Sequence, residues 1–151
     1  MTEYAPPAIE IHALQKRYSG VLAVRGVSFT LARGEVLGLL GGNGAGKTTT
    51  IGMIMGLVLP SAGSVKVFGV DMAKDRYAVL HRMNFESPYV DMPHRLTVRQ
   101  NLEVFGRLYG VRRIKDRIGE LARDLHLEEF LDRASGALSA GQKTRVALAK
   151  S

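Results

Sequence analysis

At 151 residues and 46% hydrophobic content, the chain is long enough to bury a core and has the composition of an ordinary globular domain. It contains no cysteine, which excludes a disulfide scaffold and a thiolate metal centre. The net charge of +7, from 21 basic and 14 acidic residues, is dispersed, without the unbroken basic block of a nucleic-acid-binding tail.

In chain order, residues 9–14 read as a short strand, and residues 27–31 alternate apolar and polar as a half-buried strand does. After the turn Ala32-Arg33-Gly34, residues 35–40 form a continuous apolar run, the pattern of a strand covered on both faces. A glycine-rich segment follows at once, and the spacing then predicts a helix over 47–59 that Pro60-Ser61-Ala62-Gly63 ends. Residues 64–69 alternate again as a strand. From Asp71 onward the pattern is helical. Thr97 with Gln100 forms a capping box, Val98, Leu102, Phe105 and Tyr109 mark one face, and Gly110 stands where a left-handed C-terminal cap belongs. Val111, Ile114, Ile118, Leu121 and Leu125 make a second stripe at spacings of three and four.

The segment Gly41-Gly42-Asn43-Gly44-Ala45-Gly46-Lys47-Thr48 carries the chemistry. A strand, then Gly-x-x-x-x-Gly-Lys-Thr, then a helix is a phosphate-binding arrangement. Glycines allow backbone angles that turn successive N–H groups toward phosphate oxygens. The helix start adds unpaired N–H groups and a positive dipole end. Lys47 supplies a cation for the β- and γ-phosphates, Thr48 a hydroxyl for Mg²⁺, and Thr49 a further hydrogen bond. The nucleotide-binding set is therefore residues 42–49, with ATP and Mg²⁺ as the expected ligands.

A second motif narrows the class. Leu138-Ser139-Ala140-Gly141-Gln142 starts a helix through a Ser139/Gln142 capping box. About a hundred residues after the phosphate loop, it resembles the signature motif of ABC-type ATPases, usually Leu-Ser-Gly-Gly-Gln. Ala140 is a mild departure. Leu96-Thr97-Val98-Arg99-Gln100-Asn101-Leu102 is similar to that family's Leu-Thr-Val-x-Glu-Asn-Leu helix start, and Phe105-Gly106-Arg107-Leu108-Tyr109-Gly110 to members that energise ABC-2-type exporters. Tyr18 occupies the place of the aromatic residue that stacks on adenine.

The resemblance covers essentially the whole chain. It implies an α/β fold, a P-loop NTPase-type core with an antiparallel β subdomain and a helical subdomain. It divides the chain into a nucleotide-binding core and β subdomain (1–70), a helical subdomain (71–137) and a signature segment (138–151). It implies a head-to-tail dimer, with Ser139, Gly141 and Gln142 of one copy facing the γ-phosphate held by the other, and a transmembrane permease as partner. No direct nucleic-acid partner is expected. The longest apolar run, 51–59, falls short of the roughly 20 residues that span a bilayer, and residues 1–10 lack the features of a secretory signal. The expected location is cytoplasmic, peripheral on the inner membrane face.

Two departures stand out. Where the family has a glutamine that contacts Mg²⁺, this chain reads Met83-Asn84-Phe85-Glu86-Ser87-Pro88, leaving Glu86 or Ser87 as stand-ins. The family's later Asp-Glu strand and switch histidine are not present before Ser151, so the chain reads as truncated and, by itself, is expected to bind nucleotide poorly and to hydrolyse it very little. Asp71, at the end of Val67-Phe68-Gly69-Val70, imitates that strand but precedes the signature and lacks the paired Glu. A non-transport ABC ATPase acting on ribosomes or nucleic acid is the alternative reading. A GTPase would need an Asn-Lys-x-Asp motif, which the sequence lacks.

Overall fold

A computed structural model describes residues 5–86 and 92–151. It divides into two compact units, Met1–Met83 and Asn84–Ser151.

The first unit is built on a four-stranded antiparallel sheet in the order β2-β1-β3-β4. Strand β1 (Ile9–Tyr18) is central, pairing with β2 (Val21–Leu31) on one side and β3 (Ala62–Val67) on the other; β4 (Val70–Asp71) closes the far edge. Strands β1 and β2 are longer than the alternation indicates. The register shifts between Ile11 and Leu14, where Ala13 takes a positive φ, so the alternation is interrupted while the pairing continues. Helix α1 (Lys47–Ile54) ends before the predicted residue 59. Gly56, at φ +68°, donates to Met53 O while Leu57 donates to Gly52 O, the paired bonds of a left-handed C-terminal cap. Ile11, Leu14, Val24, Met53, Val65, Val67, Met72 and Val79 form the core.

Residues 71–83, expected to open the helical subdomain, pack with the sheet instead. Asp71 accepts from Ala73 N at 2.9 Å and N-caps the one-turn helix α2 (Met72–Asp75); α3 (Tyr77–Leu80) follows. The buried side chains Met72 and Val79 fix both turns to the first core. The acid that imitates a catalytic carboxylate is a helix cap.

The largest difference lies at residues 35–40. This apolar run is not a strand: Val36 is 99% and Leu40 92% exposed. An apolar run records a preference for burial, but a strand also needs neighbours for its N–H and C=O groups. Among the described residues none pairs with this stretch.

The second unit is helical. Helices α4 (Val98–Leu108), α5 (Ile114–Asp124) and α6 (Ala140–Lys150) enclose Val98, Leu102, Ile118, Leu127, Phe130 and Val146. Both predicted stripes are found, except at their ends: Tyr109 stands exposed beyond α4, and Val111 lies in the turn before α5, outside the core cluster. The Thr97/Gln100 capping box is formed. Buried Asn101 donates through Nδ2 to Ser135 Oγ at 2.8 Å, Thr97 O at 3.1 Å and Pro93 O at 3.2 Å. These bonds join the start of α4 to the turn that precedes the signature. Arg99 grips Asp132 with both a 2.8 Å and a 3.1 Å bond and holds that carboxyl below its usual range.

Leu14→Ala is expected to cost about 2–5 kcal/mol in urea unfolding, because it opens a cavity. Leu40→Gln is expected to stay within about 0.5 kcal/mol, as for an exposed site; a loss as large as that at Leu14 would place Leu40 in a buried strand.

Candidate functional site

The glycine-rich segment lies against strand β2. Ala45 N donates to Gly42 O at 3.2 Å, closing a turn, and Gly46 takes φ +88° as the N-cap of α1. A Cβ on Gly46 would lie 2.5 Å from Ala23 O and 3.0 Å from Val24 Cγ2. Gly46 is therefore required twice, by its backbone angle and by the approach to the strand. Lys47 opens α1 and turns its ammonium back over the loop, donating to Gly41 O at 2.6 Å and Gly42 O at 2.9 Å. Thr50 N returns to Gly46 O at 2.8 Å, starting the helical ladder. The first-turn N–H groups before it have no partner within a helix. Thr48 is exposed and Thr49 half-buried.

Leu22 to Val27 of β2, with Gly44 and Ala45 of the loop, line an open groove of about 380 Å³. Tyr18, at the end of β1, is not among its lining residues. Its ring is about half exposed, and the Lys16 ammonium lies 5.0 Å from the ring centroid. Asn43, Gly42 and Gly44 are exposed on the loop. The sequence pattern gave no sign of β2's part in this groove, because the contact is tertiary and is made by unremarkable residues around Ala23.

In the second unit, Ser139 is the N-cap of α6. Its Oγ accepts from Gln142 N at 3.3 Å, and Gln142 Oε1 accepts from Ser139 N at 2.9 Å. The box reads from the sequence as expected. Gly141 meets no atom within 4 Å where a Cβ would stand, so the backbone at this helix start is open to approach.

Glu86 belongs to the same unit and lies 2.7 Å from the ammonium of Lys150, a side chain only 9% exposed. The contact is ionic rather than an aligned hydrogen bond. The same ammonium lies 5.2 Å from the Phe105 ring centroid, and Asn84 Nδ2 donates to Ser151 O at 2.7 Å. Residues 84–86 are thus tied to the end of α6, a pairing that no sequence spacing announces. Ser87 lies outside the described residues. Among the described residues no three His, Asp or Glu side chains gather as a metal site. Thr48, exposed at the start of α1, presents a hydroxyl oxygen, a donor type that suits Mg²⁺.

Comparison with known proteins gives a consistent result. The family profile described as ABC transporter matches residues 24–151. The chain is 41% identical over 142 residues to the ABC transporter ATP-binding protein NatA of Bacillus subtilis (strain 168), covering 90% of this chain and 56% of that protein. It is 38% identical over 145 residues to the Nod factor export ATP-binding protein I of Rhizobium sp. (strain N33), covering 95% of this chain and 48% of that one. A solved structure of an ATP binding subunit of an ABC transporter superposes with a TM-score of 0.79 at 27% identity, covering 95% of this chain and 61% of that chain. The chain thus spans about half the length of the curated relatives it matches.

Gly46→Ala is expected to destabilise the first unit by more than about 1 kcal/mol from the left-handed angle alone, with the Ala23 clash added. Urea unfolding measures it; an unchanged midpoint would mean the loop does not press on β2.

Proposed function

Because the chain belongs to the ABC transporter family, we propose that it is the ATP-binding part of a transporter subunit, coupling ATP binding and hydrolysis in the whole protein to export through a membrane permease. One observation carries the reading: a glycine loop, a helix N-terminus and an ammonium meet at one place on the edge of the first unit. The similarity to proteins named for export supports the direction. Among the described residues, no helix is long and apolar enough to cross a membrane. The permease, and the position on the inner membrane face that it confers, therefore belong to the proposal as a partner's contribution.

The chain's own residues would divide the work as follows. Residues 42–46 bring backbone N–H groups to the β- and γ-phosphates, and the first turn of α1 adds its own donors and dipole. Lys47 exchanges two carbonyl partners for phosphate oxygens, a stronger charge-assisted bond. Thr48 is the residue that would hold Mg²⁺, which when bound neutralises developing charge on the phosphates. Thr49 adds a hydroxyl, and Tyr18 offers its exposed ring face to the adenine. In a head-to-tail pair, Ser139, Gly141 and Gln142 of one copy supply the start of α6 to the γ-phosphate on the other. Hydrogen-bond donors placed where charge develops stabilise a transition state without covalent chemistry.

Titration with a fluorescent ATP analogue tests the reading. Lys47→Ala is expected to weaken binding by about ten- to a hundredfold, the value of a hydrogen bond to a charged group. Tyr18→Ala is expected to weaken it by about fivefold or more, the value of a base–aromatic stack. Binding unaffected by Lys47→Ala would remove the phosphate-loop assignment, and binding unaffected by Tyr18→Ala would remove the adenine contact alone.

A further inference from the structure

We propose that the α4–α5 hairpin is a docking surface for anionic membrane lipid. Helix α4 ends in a left-handed cap: Gly110, at φ +67°, donates to Arg107 O and Val111 donates to Gly106 O. The close approach of the two helices is visible at Gly106, whose missing Cβ would stand 3.2 Å from Ile114 Cγ2. Arg113, at φ +54°, starts α5 in a left-handed conformation without a side-chain cap, its Nε bonded to Asp116 Oδ2 at 2.7 Å. The turn between the helices is thus sharply held.

Tyr109 keeps a tilted contact with the Phe105 ring at 6.2 Å between centroids, but most of what this turn displays is turned to solvent. Leu108 is 71% exposed, Tyr109 and Val104 about half exposed. Residues 104–115 contain Arg107, Arg112, Arg113 and Lys115 and no acid. Only Arg113 is paired; Arg107, Arg112 and Lys115 are exposed and form no ion pair with any described residue. Arg107 and Lys115 border an open groove of about 370 Å³ together with Val111 and Ile114, with Glu103 and the already paired Asp116 on the same lining.

Unpaired cations around exposed leucine and tyrosine match the headgroup layer of an anionic bilayer. Arginine and lysine stems lie along apolar surface while their charges meet phosphate, and tyrosine favours the interface with its ring in acyl chains and its hydroxyl in water. A neutral apolar partner would leave the three cations without counter-charge. The lipid contact needs no nucleotide, so it stands or falls separately from the phosphate-loop assignment. It adds to the transporter reading a direct grip on the membrane beside the permease.

Flotation of the 151-residue chain with vesicles of phosphatidylcholine alone, or of equal parts phosphatidylcholine and phosphatidylglycerol, tests the proposal, with ATP binding measured on the same preparation. Binding is expected only to the anionic vesicles and to fall with added salt. Arg107→Gln, Arg112→Gln and Lys115→Gln are each expected to lower partitioning about fivefold, and the triple variant roughly a hundredfold. Leu108→Asn is expected to lower it as well. These side chains are exposed, and circular dichroism checks that each variant folds. The same three charges removed at Lys74, Arg95 and Arg133, all exposed and outside the hairpin, should lower partitioning far less. Equal loss from that control set would reduce the effect to net charge and overturn the proposal. Absence of binding to anionic vesicles would also overturn it, including where an acidic peptide is bound instead.

Discussion

The whole candidate site depends on how closely the glycine-rich loop can approach strand β2. At Gly46 the backbone has turned left-handed, and the nearest neighbour is a main-chain carbonyl, Ala23 O, which cannot rotate away. Only a residue without Cβ fits there. That approach sets where α1 begins, and the start of α1 sets where Lys47 and the free N–H groups of the first turn point. The loop's chemistry is therefore a consequence of packing against the sheet, and the sheet's own core, centred on Leu14, Val24 and Met53, is what makes the strand a firm surface.

The second unit is organised by a different constraint, the satisfaction of helix ends. Thr97 with Gln100 and Ser139 with Gln142 cap α4 and α6 by the same reciprocal pair of bonds. Arg145 donates to carbonyls just past α5, Leu125 O at 3.4 Å and His126 O at 2.9 Å, while lying over the Phe130 ring. Asn101 then joins the start of α4 to the turn before the signature. The signature helix is thus placed by hydrogen bonds that run back to α4, and Glu86 and Asn84 add two ties at its other end.

Much of this was legible in the sequence because it is local. Capping boxes, the glycine loop and the two helical stripes are written within four or five residues; both boxes form where the spacing places them, and the stripes hold except at Tyr109 and Val111, which lie in the turn between the helices. What was not legible depends on distant partners. The apolar run at 35–40 carries the pattern of a buried strand, yet Val36 and Leu40 face solvent because no described strand hydrogen-bonds to them. The division at Met83 rather than near residue 70 follows from where Met72 and Val79 are buried, which their helical spacing alone does not reveal. The Glu86–Lys150 pair spans most of the second unit, so no local pattern predicts it.

The most direct measurement of the central claim is a two-dimensional amide spectrum of the chain recorded with and without MgATP. If the backbone around the start of α1 is a phosphate cradle, the largest resonance shifts will fall on Gly44, Gly46, Lys47, Thr48 and Thr49, with smaller ones along Leu22 to Val27. Binding that leaves those amides unmoved while shifting residues elsewhere would contradict the account.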